Sequence, residues 1–547
     1  MKAICSISGW EFEISEREIA LRNALDINVL PDLMPHLRIR HIGAFWPHWS
    51  LHKRMCDKTG RDIISVFRPE CPYPVWHKDE WYKSAEPPQA PIDFDQTFFS
   101  QAERLFKQCP IPHNSGTGNE NCEYTDDWWF GRNCYLCHCG VKNEDNRYCY
   151  RLIGCKNSLY CVFSFECEWC IDVINSEKCF QCIYGFYLKN CRDTAFCYDC
   201  RNCQDCLFCF NLRNKQYCIG NKQLSREEYE IQKQQFPFDT QPWYQRCKDL
   251  FWKMLREIAW HKSNYLDFTE NCSGNYLLRL KNMSHTFFGA DGEDGINVTR
   301  FWWAKTATDS INLQDAERII YSSGAQVKCY DIGFSFMLDN TRFARYSAYS
   351  SKCENVFGCC GLLGWKNAIL NTPYAQAEYE MLRNKLVGHM KSTGEWGHFF
   401  PGSFAPNPYD EGWGSFYFPL SLAEQKQWGY FSLPVAEQHD AKYHHPDDIP
   451  SAWEATETST LLTYWDEFAH KPFQILPQDI NFCRKIGVPI PQSHYMRRLQ
   501  ENFAWMPYNG VLRKTKCAQS WVDIETSWSA EYDGRILSEA EYLKKVW

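Results

Sequence analysis

The sequence predicts a mainly β chain: a tandem hexapeptide-period β-solenoid, or β-helix, in two copies with capping helices, flanked by small zinc-ribbon-like α+β modules. Three observations predict it. Cysteines recur on a fixed short period through the middle of the chain, the same register returns further on without the cysteines, and the two ends of the chain read as related modules.

The first observation is the strongest. Of the 17 cysteines from Cys134 to Cys218, 16 are separated by multiples of three, Cys139 being the exception. Within them a six-residue phase running from Cys137 to Cys209 has 13 positions, and cysteine holds 10. Asn143, Val173 and Gly185 fill the rest. A constant short period over many repeats marks a repeat architecture. A period of six fits neither the 3.6 of an α-helix nor the 2 of one long strand. Three six-residue sides predict a coil of roughly 18 residues, with Cys161, Cys179 and Cys197 stacked at about 4.8 Å; a two-sided coil of 12 is the alternative.

The register returns at Ser323, Cys329, Ser335, Thr341, Ser347, Cys353 and Cys359. The positions three residues on from the first six of these are Gln326, Ile332, Leu338, Ala344, Ser350 and Val356. Both copies end in an Asn (Asn221, Asn371) followed by a Glu-Tyr-Glu helix (Glu228–Glu230, Glu378–Glu380), an internal duplication. Ser225 with Glu228 predicts a capping box, and Thr372 before Pro373 predicts an N-cap with Pro at the first helical position. Tyr379, Leu382, Leu386 and Met390 form an apolar stripe, and Leu250, Phe251, Met254, Leu255 and Ile258 form the face of a linking helix.

The expected organisation is an N-terminal ribbon-like module over 1–85, a Pro-rich linker and helix over 86–121, the first repeat copy over 122–222 and linking helices over 223–262. The second copy spans 263–372, a capping helix with an aromatic, Pro-rich segment 373–470, and a C-terminal ribbon-like module 471–547. Cys5-x-x-Ser8 and Cys56-x-x-Thr59 have the spacing of two zinc-ribbon knuckles with one ligand of each lost. A tetrahedral site needs four ligands, and Cys5 and Cys56 with Cys71 or His52 are the candidates; zinc is the metal expected. Within the repeats, Cys122, Cys134, Cys137 and Cys139 are the better metal candidates, because Cys139 breaks register.

Composition narrows the function. The chain carries 30 Cys, 23 Trp and a formal net charge of −8, so a basic nucleic-acid binder is not the whole-chain reading. The N-terminus reads as having no signal peptide and no stretch reaches a membrane span, so the cysteines are expected as cytoplasmic thiols or metal ligands. Ser, Thr and Ala replace Cys in the second copy, which points to a position needing a small residue. There is no Walker loop, dinucleotide fingerprint or Gly-x-Ser-x-Gly elbow, and no catalytic residue is assigned. Trp128, Trp129, Trp302 and Trp303 are candidate interaction residues, as are Arg38, Arg40, Arg497 and Arg498.

Cys200-Arg201-Asn202-Cys203-Gln204-Asp205-Cys206 with Asn211–Tyr217, Gly394–Pro401 and Lys471–Ile475 with Pro489-Ile490-Pro491 resemble a family of uncharacterised cysteine-rich proteins encoded by candidate-phylum (candidate phyla radiation) bacteria. The resemblance covers most of the chain and implies no activity. The terminal modules lack most of that family's paired cysteines, which counts against zinc there. The expected function is a non-enzymatic cysteine-rich repeat scaffold for protein interaction. The alternatives are a zinc- or iron-binding or redox protein using the cysteine ladder, and a nucleic-acid- or ribosome-associated factor using the Arg-rich ends. A protein partner is expected first, nucleic acid second, and no membrane.

Overall fold

The computed structural model describes residues 1–547 other than 25, 48–49, 85, 303, 312–319, 325–332, 334, 336–340, 433–442, 505–509 and 547. Cys329, Gln326, Ile332, Leu338 and Trp303 therefore lie outside the described residues.

The mainly β solenoid expectation is overturned. The chain is mixed α/β, about 27% helical and 29% strand, with several small sheets. The largest two have six strands each, and most of the others have two. The helices Gln241–Glu257 and Gln376–Ser392, of 17 residues each, are longer than any strand. Within the middle of the chain, strands Ile171–Ile174, Ile183–Phe186, Arg192–Tyr198, Gln204–Leu207 and Gln216–Ile219 pair in parallel, and Lys222–Gln223 closes the sheet antiparallel. The 18-residue spacing is also corrected. Ile171 faces Ile183, Ile183 faces Ala195 and Gln204 faces Gln216, so the step is 12 residues. Isolated parallel bridges from Glu120–Arg132 to Arg201–Arg213 keep that step along the same stretch.

The step is set by the backbone. From Asn121 to Tyr217 nearly every third residue has positive φ, including bulky Tyr148 (φ 54), Phe163 (φ 52) and Trp169 (φ 55). Such conformations are uncommon outside Gly, Asn and Asp, so something must hold them. Their N–H groups bond to carbonyls thirteen residues back, as Asn133 N–H to Glu120 O at 3.0 Å and Asn202 N–H to Lys189 O at 2.9 Å. Where the residue is Asn, side chains also bond along the stack: Asn190 to Asn202 at 3.1 Å and Asn202 to Asn214 at 2.9 Å.

The residue after each positive-φ position points inward. Cys134, Cys155, Cys161, Cys182, Cys197 and Cys209 are all buried, with Leu152, Val173, Leu188 and Trp128 filling the gaps. Each thiol donates to the carbonyl two residues before it: Cys161 Sγ to Leu159 O at 3.4 Å, Cys191 Sγ to Lys189 O at 3.5 Å. Ser does the same, Ser158 Oγ to Lys156 O at 2.9 Å and Ser164 Oγ to Val162 O at 3.2 Å. In the second stretch Ser310, Ser350 and Cys353 repeat the bond. Cys and Ser exchange here because both are small and each finds an acceptor when buried; Ala344, Val356 and Ala368 hold the same inward position without a donor.

The second stretch forms sheets Leu266–Asp267 to Ile320–Ser323 and Arg342–Arg345 to Thr372–Pro373, again parallel until the last strand. The Ser225–Glu228 capping box is present at the helix Arg226–Lys233. Thr372-Pro373 is instead a strand, and the helix starts at Gln376 after Ala375. The outer aromatic corners make a second core, where Tyr184, Phe186 and Phe210 pack on Phe251 of the long helix. Tyr150 and Phe163 pack on Phe503.

The donor rule predicts that Ser164→Cys changes stability by less than about 1 kcal/mol, whereas Ser164→Ala costs about 0.5–1.5 kcal/mol, losing the hydroxyl's bonds to Val162 O and Val173 O while both carbonyls keep their backbone N–H partners. Urea unfolding of the two variants checks it; equal stability of Ala and Cys would show that size alone matters.

Candidate functional site

Three of the four candidate arginines are held by carboxylates. Arg38 bonds Glu18 at 2.6 Å and also pairs with Asp309. Arg22 joins the same cluster, 2.5 Å from Asp309 and 3.3 Å from Glu18, with all four groups buried. Burial alone would raise the Glu18 carboxyl, but Arg38 and Arg22 bring it below its ordinary value. Arg498 bonds Asp172 at 2.5 Å beneath Tyr160. Arg497 bonds Glu501 at 3.0 Å and sits over Phe468. Arg40 lies over the Trp428 ring, 4.9 Å from its centroid. These groups lock modules together rather than forming one basic face.

The candidate metal ligands are brought together only in part: Cys122 bonds Cys134, which lies near Cys137. Cys5 is buried with Phe12, Ile14 and Leu37. Cys56 receives the His77 N–H at 3.3 Å in a different core, His52 pairs with Glu411 at 3.1 Å, and burial pushes the Cys71 thiol up to about 12. Cys134 and Cys137 donate to backbone carbonyls, and Cys122, at the open edge, donates to Glu120 O at 3.4 Å. Cys139 donates to Asp127 at 2.8 Å and meets Arg300. Among the described residues no group of three His, Cys, Asp or Glu could hold a metal. Every described cysteine is a free thiol.

The knuckle geometry itself is real. In each of three hairpins, at Cys5, Cys56 and Cys517, the Cys N–H bonds the carbonyl five residues on, at 2.8–2.9 Å. A fourth hairpin, Tyr464–Asp466 with Lys471–Phe473, has Asp466 at that place, its Oδ1 accepting the N–H groups of Phe468 and Ala469 at 2.9 Å. Each knuckle thus packs one acceptor against its own turn. Reading Cys-x-x-Ser as half a metal site missed the Asp466 version, which carries no cysteine signal.

The structure does gather a site elsewhere. A cavity of about 280 Å³ forms where four parts of the chain meet: Lys78, Trp81 and Tyr82 from one helix, the segment Asn114–Thr117, Asp126 and Trp129 from the first ladder, and Tyr349–Lys352 from the second. The strand Val75–Trp76 pairs with Ile111–Pro112, and the His77 and His113 rings stack at 4.5 Å. His113 Nδ1 accepts the Lys78 N–H at 2.9 Å. Lys78 Nζ donates to Gly116 O at 2.7 Å. Gly116 has φ +102, and a Cβ there would lie 2.2 Å from Trp128 O, so only glycine lets this segment lie along the ladder edge. Ser115 N–H then reaches Asp126 Oδ1 at 2.8 Å, with Ser115 Oγ at 3.4 Å.

Asp126 is buried, and that burial together with the Asp127 charge pushes its carboxyl up to about 7, against the opposing Ser115 N–H and Lys78. His113 is pushed down to about 3, first by burial and then by His77 and Lys78, so its ring is neutral and its Nδ1 already occupied. Ser115 Oγ faces the Asp126 carboxyl, not an imidazole, at 3.4 Å, the long end of hydrogen-bonding distance. The cavity is built to hold something more readily than to activate a nucleophile. Trp129 lines it; Trp128 instead fills the cysteine core, and the Trp302 side chain lies outside the described residues. Trp129 was visible as an aromatic candidate; Lys78, Ser115 and Asp126 carry no motif.

No family model matches the chain, and no curated protein matches it. No described helix is long and apolar enough to cross a membrane.

Two outcomes follow from this geometry. Thiol titration of the folded chain should label only a small minority of cysteines, Cys122 first because it lies at the edge, with the rest reacting after unfolding. For Asp126, the folded carboxyl holds its proton to about pH 7 against a reference of 3.8. The folded state therefore binds more protons between those values, and its contribution to stability is lost as pH rises through them. Asp126→Asn should be near neutral in stability below pH 4 and gain roughly 2–4 kcal/mol above pH 7, measured by urea unfolding at pH 4 and pH 8.

Proposed function

We propose that the chain is a non-enzymatic, cysteine-rich scaffold that holds a protein partner, in the reducing setting of the cytoplasm. The observation that carries this reading is that the two terminal hairpins each present a tryptophan and an aliphatic side chain to solvent. At the N-terminal hairpin Ile4 is 71% exposed and Trp10 70%; at the C-terminal hairpin Trp521 is 73% exposed and Val522 50%. Both pairs flank a knuckle whose cysteine is buried. Large exposed aromatics on hairpins are the kind of anchor that fills a partner's pocket. Free thiols throughout the described residues suit a reducing compartment.

The alternatives draw less support. A metal store needs thiols free to act as ligands; the thiols here do neighbour one another, as Cys203 does Cys191, Cys200 and Cys206, but they are also bonded to carbonyls, and no group of three among the described residues could hold a metal ion. A nucleic-acid face needs uncommitted cations, whereas Arg38 and Arg498 hold buried carboxylates.

Crosslinking with mass spectrometry of the full chain in extract of its own cells tests the proposal. Crosslinks from the two hairpins to a recurring protein are expected, lost at least tenfold in the Trp10→Ala, Trp521→Ala double variant, which touches exposed side chains and leaves folding intact. Partner crosslinks indifferent to both substitutions would refute the hairpins as the docking elements, and stoichiometric zinc or iron on the purified chain would favour the metal reading instead.

A further inference from the structure

The cavity beside Lys78 has walls and a floor of different chemistry. Phe67, Trp81 and Tyr349 are buried behind it, and Tyr82, 54% exposed, stands beside it with Trp129. On the polar side are Asp126, Ser115 and Asn114. Asn114 Nδ2 donates to Thr125 O at 3.3 Å, while its Oδ1 is buried without a hydrogen-bond partner.

Above pH 7, where the Asp126 carboxyl has lost its proton, the charges lining the cavity balance. Lys78 and Lys352 contribute two cations, Asp79 and Asp126 two carboxyls. Lys78 and Asp126 further attract one another, each moving the other toward its charged form against burial. An anion such as a phosphate meets Asp126, and a cation such as an ammonium meets Lys78, so neither is selected by charge. A purely apolar ligand would cover the Asp126 carboxyl and the Asn114 amide without satisfying them, at a cost comparable to a lost hydrogen bond for each. What answers the lining is a neutral ring with an apolar face to lie against Tyr82 or Trp129 and an edge of adjacent groups that both donate and accept.

We propose that this cavity binds a neutral, hydroxyl-rich ring, a pyranose sugar, with neighbouring hydroxyls on Asp126 and Asn114 and a C–H face on the Trp129–Tyr82 side. Asp126 and Asn114 take hydroxyl protons, and Ser115 Oγ and Lys78 Nζ return hydrogen bonds to ring hydroxyl oxygens. The site is independent of the exposed hairpins, and its ligand is a second binding partner of the chain, not the protein partner proposed above.

Saturation-transfer-difference NMR on the full chain tests it, with the methyl glycosides of glucose, galactose, mannose and N-acetylglucosamine as probes and adenine and choline as competitors of other classes. The expected result is transfer to the ring protons of at least one glycoside, with adenine and choline silent. Asp126→Asn and Tyr82→Ala should each weaken that glycoside at least tenfold. Tyr82 is at the rim, so its variant keeps the fold, and Asp126→Asn is isosteric; unchanged thermal unfolding of Tyr82→Ala confirms that the loss is local. A trisaccharide ending in the preferred sugar that binds at least as well identifies a glycan end as the source, and one that is excluded identifies a free monosaccharide. The proposal is overturned if no glycoside binds, if adenine or choline binds instead, or if glycoside binding survives both substitutions.

Discussion

Nearly every third residue of the ladder occupies the left-handed region of the backbone, and the rest of the structure depends on that constraint. Four such three-residue units span the 12-residue step at which the chain pairs in parallel with itself. The conformation is unfavourable for most of the residues that adopt it. It persists because each turn's N–H has one partner, a carbonyl thirteen residues back, and because the ladder offers no competing arrangement that keeps those bonds.

The three positions of each unit then separate by role. The inward residue sits in a narrow interior beside carbonyls that can accept a second hydrogen bond, so small thiols and hydroxyls as well as Ala, Val and Leu line it. The left-handed residue points outward, and there Asp is well tolerated. Asp172, Asp199 and Asp309 all occupy such positions. They meet Arg498, Arg213, and Arg22 with Arg38 respectively. The buried ion pairs that fasten the terminal modules and helices to the ladder are thus placed by the same backbone rule that places the cysteines. Removing one partner of such a pair leaves a charge stranded, which is far more damaging than the pair's net worth suggests.

Parts of this were legible in the residues. The spacing of 16 cysteines by multiples of three is the three-residue unit written directly, and the exchange of Cys for Ser located the interior. The Ser225–Glu228 box and the buried Tyr379, Leu386 and Met390 were readable because capping and helical periodicity are local. Misreadings arose where long-range geometry decides. Cysteine density emphasised a period of six, while the carbonyl thirteen residues back, invisible in one sequence, fixes twelve. Thr372-Pro373 has a helix-start signature, yet its pairing with Lys366–Ile369 keeps it in a sheet. Arg38 and Arg498 look like surface cations until carboxylates 271 and 326 residues away reach them. The cavity escaped for the same reason, since Lys78, Asp126 and Tyr349 approach only after both ladders have formed.

The 12-residue register also limits how such a chain can change length. An insertion of one, two or four residues within the ladder would rotate every later side chain out of role, placing outward tyrosines among the thiols. Three residues would restore the roles but shift every partner sideways by a quarter turn. Only whole steps of twelve preserve both, so insertions of any other length fit only in the hairpins and helices outside it.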